Sequence, residues 1–327
     1  MIYLIIILLK FQKNLYDLLY SVIIKEDYLR NINGILLLDK PIGLSSNLIL
    51  QKIKKLFKAK KAGYIGTLDP IASGMLPIFF GDATKFSDYL LNTNKWYKIK
   101  AKLGEKTNTL DSFGKIICIR PILNIKKLNI EKILSEFQGE IYQKPPMFSS
   151  LKHLGKPLYK YARQGIYIPR EKRKVYVHYI KLLSFSKKYF SLTIKCSKGT
   201  YVRSIVDDIG EKLFCGAHIV KLRRTKLFNY KESHMIDSNK LYNIKKKFND
   251  LKKLDECLLP IESIFKKLPI IVVNDDIINR LRNGIKLNFW KIKKNNLFKI
   301  ISKDTKKFVG IIDINKYGRA NSIKLIK

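Results

Sequence analysis

Hydrophobic side chains recur along this chain with two different periods, and their order limits the folds it can adopt. Over residues 96–103, Tyr97, Ile99, Ala101 and Leu103 alternate with Lys98, Lys100 and Lys102, the period of a half-buried strand. From Thr200 onward, Val202, Ile205, Val206, Ile209 and Leu213 recur at the spacing of one helix face. A second helical stripe, Leu48, Ile49, Ile53, Leu56 and Phe57, follows Ser45 and Ser46, either of which can cap it. Residues 33–39 (NGILLLD) read as a buried strand after a turn, and further strands are predicted over 174–184 and 189–196. Helices and strands mix without regular βαβ spacing, so the predicted class is α+β.

Composition shifts towards the end of the chain. Residues 239–262 are lysine-rich and helical in pattern, ending near Pro260, and beyond Leu268 short strand-like pieces (PIIVV, LFKII, FVGIID) alternate with polar turns. The predicted organisation is an extension over 1–31, a main unit over 32–262 and a small β-rich unit over 263–327. The opening MIYLIIILL has nine apolar residues, against the roughly 20 that span a bilayer. It lacks the basic start and small-residue cleavage site of a signal peptide. It reads as an extension outside the main fold or as a misassigned start, and no membrane partner is expected.

Lys and Arg total 65 against 26 Asp and Glu, a formal net charge of +39. Such a field attracts polyanions, nucleic acid foremost. Lys, Ile and Asn crowd every segment, as an AT-rich genome would also produce, so charge supports a nucleic-acid partner without establishing it. Cys118, Cys196, Cys215 and Cys257 are far apart and none is spaced with a histidine for zinc. Four scattered thiols suit a reducing cytoplasm, and no metal site is readable.

Residues 62–81 (AGYIGTLDPIASGMLPIFFG) hold four glycines, two prolines and one carboxylate. They read as a tight loop in which Pro70 biases Asp69 away from helix. Locally this is an Asp-Pro turn, and nothing beside Asp69 makes it reactive.

The wider pattern changes that reading. LDKPIGLSS from Leu38, the GTLDPIASGMLP loop, KWYKIKAKLGEKTNTLDSFG from Lys95, PPMFSSLKHLGKPLYKYARQG from Pro145, CSKGTYVRSIVDDIGEKL from Cys196 and CGAHIVKLRRT from Cys215 stand in order. Together, over roughly residues 32–235, they resemble the TruB family of tRNA pseudouridine synthases. The resemblance implies a pseudouridine synthase catalytic fold with a mixed sheet and flanking helices. More loosely, it implies a PUA-like RNA-binding module in the tail. It also implies isomerisation of uridine to pseudouridine at position 55 of the tRNA T-loop, in the cytoplasm, by a monomer, with no cofactor and no obligate protein partner.

Residue by residue, Asp69 matches the family's essential aspartate, which attacks the sugar or the base or assists removal of the C2′ proton. Tyr97 matches the aromatic that stacks on the target base and acts as proton acceptor or proton relay. Arg203 matches the arginine that pairs with the aspartate, and that pairing is expected to keep Asp69 ionised. Tyr201 and Leu222 match positions lining the uracil pocket, and Lys40, Pro41 and Gly66 match positions supporting the catalytic loop. One departure stands out: where the family reads AGHTGxLDP, this chain has Tyr64-Ile65. Tyr64 keeps a face for stacking on RNA but loses the imidazole's hydrogen bonds. Lys152, His153, Lys156, Tyr159, Lys160, Tyr161 and Arg163 interleave charge with rings, as an RNA face would or as a solvated basic helix would.

Two other classes were weighed. A tRNA-binding folding chaperone with a decayed site is opposed by the presence of Asp69, Tyr97 and Arg203 together. A membrane-surface protein would need a long amphipathic or spanning segment.

Overall fold

The computed structural model of the chain describes residues 29–248, 250–285, 289 and 296–326. Residues 1–28, most of the predicted extension, lie outside the described residues.

The first strands are β1 (Gly34–Lys40), β2 (Ala62–Tyr64), β3 (Ala72–Phe80) and β4 (Lys95–Leu103). A small hairpin follows, β5 (Glu105–Thr107) with β6 (Ile116–Ile119), and then β7 (Gly139–Gln143). A second small hairpin pairs β8 (Lys152–His153) with β9 (Lys156–Pro157). The long strands β10 (Arg173–Phe185), β11 (Tyr189–Cys196) and β12 (Ala217–Leu227) come next, with β13 (Ile236–Asp237) last. Nine of these strands form one sheet in the order β13-β1-β3-β12-β4-β11-β10-β7, with β2 also on β3. β13 on β1 and β12 on β3 are parallel and the other pairs antiparallel, so the sheet is mixed, as expected for the α+β class.

One face of this sheet carries the helices. The Ser46–Leu56 helix buries Ile49 and Ile53 there, each removal from water contributing about 1.5–3 kcal/mol. Ser45 caps it, accepting from the Leu48 N–H at 3.2 Å, while Leu48 itself points to solvent. The Val202–Lys212 helix lays Val202, Ile205, Val206 and Ile209 on the same core as Tyr97, Ile99 and Ala101 of β4. A second core lies on the opposite face over β1, β3 and the end of β12, where Ile35, Leu37, Met75, Phe79 and Leu227 meet Phe86 and Phe265.

The predicted loop over 62–81 needs correction, because its second half is β3, a nine-residue strand inside the sheet. Pro77 is tolerated there because its carbonyl accepts from the Ile65 N–H on the side away from β1, so its missing N–H costs no bond to β1.

The tail forms its own sheet, β14 (Ile270–Val273), β15 (Asn296–Ser302), β16 (Phe308–Ile314) and β17 (Ala320–Leu325), with the Asp275–Arg282 helix on it. All three strand-like pieces seen in the sequence are strands. Val273, Ile278, Leu281, Ile300 and Ile312 fill its core. On its other side Ile311 joins the second core, and Phe308 stacks on Phe265 at 6.0 Å.

Candidate active site

The connection between β2 and β3 is held by backbone bonds on both sides. The Ser46 hydroxyl accepts from the Leu68 N–H and donates to the Leu68 C=O, both at 2.8 Å. Gly43 N–H donates to the Pro70 C=O at 2.8 Å, and Ala72 N–H to the Asp69 C=O at 3.0 Å. The residue between these clamps is Asp69. Gly66 opens the turn at φ +63°, where a Cβ would stand 3.0 Å from the Arg224 Nη1. Gly74 lets β3 approach β12, since a Cβ there would fall 2.3 Å from the Arg224 carbonyl oxygen.

Arg203 meets Asp69 from the first turn of the Val202–Lys212 helix. Its Nε donates to the Asp69 Oδ2 at 2.9 Å. Nη1 donates to the Thr109 carbonyl at 2.7 Å and Nη2 to the Phe148 carbonyl at 2.8 Å, so all three nitrogens are fixed. The pairing expected from the sequence is therefore in place, and Arg203 is buried. The pair favours the ionised carboxylate as expected, but burial acts on Asp69 more strongly. Protein packed around Asp69 pushes its carboxyl above the usual carboxylate range. The Arg203 guanidinium pulls it back only in part, and Asp111 adds to the upward push. Burial outweighs the ion pair even though 36% of the Asp69 side chain is open to solvent.

Asp111, not singled out in the sequence, stands behind the pair with its Oδ2 3.9 Å from the Arg203 Nε. Its Oδ1 accepts from the Thr109 hydroxyl at 2.7 Å and the Phe113 N–H at 3.0 Å. The same turn thus presents the Thr109 carbonyl to Arg203. The only signal in the sequence was its place within the quoted TLDSFG run.

Three further cations are buried in this part of the fold, Lys40 acting on Asp69, and Arg224 acting on Lys40, Lys95 and Tyr97. Lys40 is fully buried, its Nζ donating to the carbonyls of Pro41 at 2.7 Å and Leu44 at 2.6 Å, and burial lowers its pKa to about 8. It therefore ties the turn before the Ser46–Leu56 helix, the segment whose Gly43 and Ser46 hold the loop. Lys95 donates to the carbonyls of Leu91 and Thr93, and burial likewise lowers it to about 8. Arg224, buried on β12, donates from Nε to the Met75 carbonyl at 2.7 Å, and its Nη2 has no hydrogen-bond partner. Arg224 lies opposite Tyr97 in the β12–β4 register. Burial pushes the Tyr97 phenol above its ordinary pKa, with the Arg224 guanidinium opposing, so Tyr97 is a neutral phenol at neutral pH. The neighbouring Cys196 thiol is raised to about 12 by burial and stays protonated.

Leu222 is buried between Ala72 of β3 and Ile99 of β4. Tyr201 precedes the Arg203 helix, its N–H donating to the Gln143 Oε1 at 2.7 Å and its carbonyl accepting from the Gln143 Nε2 at 2.9 Å. Asp69, Arg203, Tyr97, Leu222, Tyr201 and Lys40 thus come from five separate chain segments, Tyr201 and Arg203 sharing one.

Two family models match the chain, described as TruB family pseudouridylate synthase (N-terminal domain) over residues 54–202 and tRNA pseudouridylate synthase B C-terminal domain over 203–266. The tRNA pseudouridine synthase B of Buchnera aphidicola subsp. Acyrthosiphon pisum is 48% identical over 291 residues, covering 88% of this chain and 93% of that protein. That of Vibrio campbellii is 42% identical over 303 residues, covering 91% and 96%. The chain belongs to the TruB family of pseudouridine synthases.

Among solved structures, the chain resembles a Cbf5–Nop10–Gar1 complex, with a TM-score of 0.66 and 25% identity over 93% of this chain and 86% of that one. The archaeal box H/ACA sRNP Nop10–Cbf5 complex shares the fold, with a TM-score of 0.64 at 24% identity over 92% and 87%. In this TruB chain Tyr64 ends β2, half-buried against the main core, while Ile65 is buried in the second core. The basic stretch is a hairpin and one short helix (Leu158–Ala162), with Lys152, His153, Lys160 and Arg163 exposed. Its rings serve the cations directly, Lys156 standing 4.5 Å over Tyr161 and Arg163 5.3 Å over Tyr159. Among the described residues no His, Cys, Asp or Glu cluster could hold a metal, and no helix is long and apolar enough to cross a membrane.

Proposed function

We propose that this chain isomerises uridine to pseudouridine at position 55 in the T-loop of tRNA, acting as a monomer in the cytoplasm. The carrying observation is the Asp69 carboxylate at 2.9 Å from the Arg203 Nε, at the mouth of a clamped loop in a TruB family chain. The isomerisation breaks N1–C1′, forms C5–C1′ and moves one proton from C5 to N1. Atoms and electrons balance without an oxidant or a group carrier.

A uridine inside a folded loop must be unstacked before its C1′ is reachable, and a base in that position would lie over Tyr97 beside Leu222 and Tyr201. Asp69 acts ionised whether it attacks the sugar, attacks the base or takes the C2′ proton. Arg203, fixed by two carbonyls, aims the carboxylate and supplies its countercharge. Tyr97, a neutral phenol, is equipped to stack and to pass a proton rather than to act as a standing base. Lys40, Pro41 and Gly66 position the loop, and Tyr64 with the basic hairpin faces the T-arm. In this reading residues 32–262 form the catalytic domain, and 263–327 form a PUA-like module that adds RNA contacts.

The test is to map pseudouridine in an unmodified tRNA transcript after incubation with the purified protein. Asp69→Asn should abolish the product while leaving tRNA affinity within about tenfold, roughly 1.4 kcal/mol. Turnover by that variant would refute the assignment of Asp69.

A further inference from the structure

The face of the central sheet turned away from the active site carries charge that the catalytic reading does not use. On β4 and β11, Tyr97, Ile99, Ala101, Leu192 and Ile194 point into the catalytic core, so the residues between them point outward. Over β1, β3 and the end of β12 that outward face is covered by the second core. Over the rest of β12 and over β4, β11 and β10 it is open, with Lys98, Lys181 and Lys221 exposed.

The strand registers arrange these side chains in rows. In one row Trp96 stands between Lys226 and Lys195, whose ammonium groups lie 4.4 and 5.0 Å from its ring. In the next, Arg223, Lys98, Thr193 and Lys181 face one another across four strands. In the third, Lys221 lies opposite Lys100, with Ser191 beyond.

Like charges directly opposite on neighbouring strands destabilise a sheet. The fold relieves one such pair itself, because Glu232 lies 2.8 Å from Arg223 and 3.6 Å from Lys98. The adjacent pair, Lys221 and Lys100, has no carboxylate partner among the described residues, nor do Lys181, Lys195 and Lys226. The register therefore sets a place for an anion that the chain does not fill. Thr193 puts a hydroxyl group between Lys98 and Lys181, and Ser191 puts one beside Lys100, which suits a sugar–phosphate backbone. A lipid surface would call for a band of apolar side chains to insert, and the one large apolar side chain in these rows, Trp96, is taken up between Lys226 and Lys195.

We propose that this outward face is an RNA-binding platform, gripping the phosphates of a strand segment separate from the one whose uridine enters the cleft. The assignment rests on the sheet register and charge, not on the reaction proposed for the opposite face.

The probe is an oligoadenylate of roughly fifteen nucleotides, within the ~4–16-nucleotide sites typical of single-strand platforms, and containing no uridine to modify. Its binding to the full chain is followed by filter retention across a salt series, with and without a saturating T-arm stem-loop. Binding should be unchanged within about twofold by the stem-loop. The Lys100→Gln/Lys181→Gln/Lys221→Gln variant should lose at least tenfold in affinity. Its log affinity–log salt slope should become shallower by about 2, three contacts at ~0.7 each for a single strand. Pseudouridine formation in the stem-loop and the urea unfolding midpoint should stay at parent values. Competitive displacement by the stem-loop, an unchanged affinity and slope in the triple variant, or retention of phosphatidylglycerol vesicles in place of oligoadenylate would overturn the proposal. Failure of the parent to form pseudouridine would instead count against the reaction and leave the oligoadenylate result standing.

Discussion

Replacing Arg203 by Lys keeps a positive charge at the helix start but removes the planar fork. The native guanidinium makes three bonds at once, to the Asp69 carboxylate at 2.9 Å and to the carbonyls of Thr109 at 2.7 Å and Phe148 at 2.8 Å. A lysine ammonium cannot reproduce that fan from one point. Each carbonyl left unbonded at this depth costs about 1–3 kcal/mol, so a loss of about 2–6 kcal/mol in folding stability is expected for the two.

The catalytic consequence is separate. A charge-assisted bond such as Arg203 Nε to Asp69 is worth about 1.5–3 kcal/mol. Because the Asp69 side chain is 36% exposed, solvent screening takes away part of that gain. The direction is upward: Arg203 favours the ionised carboxylate, so weakening its bond raises a pKa that burial has already raised. The acid limb of single-turnover rate against pH, which marks ionisation of Asp69, should therefore move to higher pH. The assay is tritium release from 5-labelled uridine in tRNA, with urea unfolding of the same protein. An acid limb at the parent position, in a variant that still folds, would refute the claim that Arg203 tunes Asp69.

Ser46→Ala strips the Leu68 N–H and C=O of their shared partner, so stability should fall by about 1–3 kcal/mol and kcat should drop more than KM rises, measured by urea unfolding and steady-state kinetics. Gly66→Ala forces a side chain into φ +63° against Arg224, costing about 1–2 kcal/mol, and should slow turnover by loosening the turn before Asp69. A parent-like melting temperature and rate in that variant would refute the close fit. Tyr64→Phe should be nearly neutral, whereas Tyr64→Ala should weaken tRNA binding by about 1–3 kcal/mol, the range for one lost base–aromatic stack. Parent-like filter binding by Tyr64→Ala would remove Tyr64 from the RNA face.

Much of this was legible in the sequence, for a definite reason. Period-2 alternation alone decides which side of a strand is buried, so Tyr97, Ile99 and Ala101 could be assigned to one face of β4 and the lysines to the other. The helical stripe likewise assigned Val202, Ile205 and Val206 to the core. The order of the motifs carried Asp69, Arg203 and Tyr97 into one site before any geometry was known.

What the sequence could not supply was the meeting of separate segments. β3 looked like loop because its glycines and prolines are permitted by its neighbours, with Gly74 against β12 and Pro77 facing Ile65. Arg224 sits in a charged LRRTK run, and only the pairing of β12 with β4, in register with Leu222 two residues before it, sets it inward against Tyr97. Asp111 and Ser46 act through bonds to partners far along the chain. The raised carboxyl of Asp69 depends more on how much protein surrounds it than on which cation is nearest. Periodicity is a property of one element and is written locally. Register, burial depth and the field at a carboxylate are sums over elements distant in sequence, and only the packed tertiary structure fixes them.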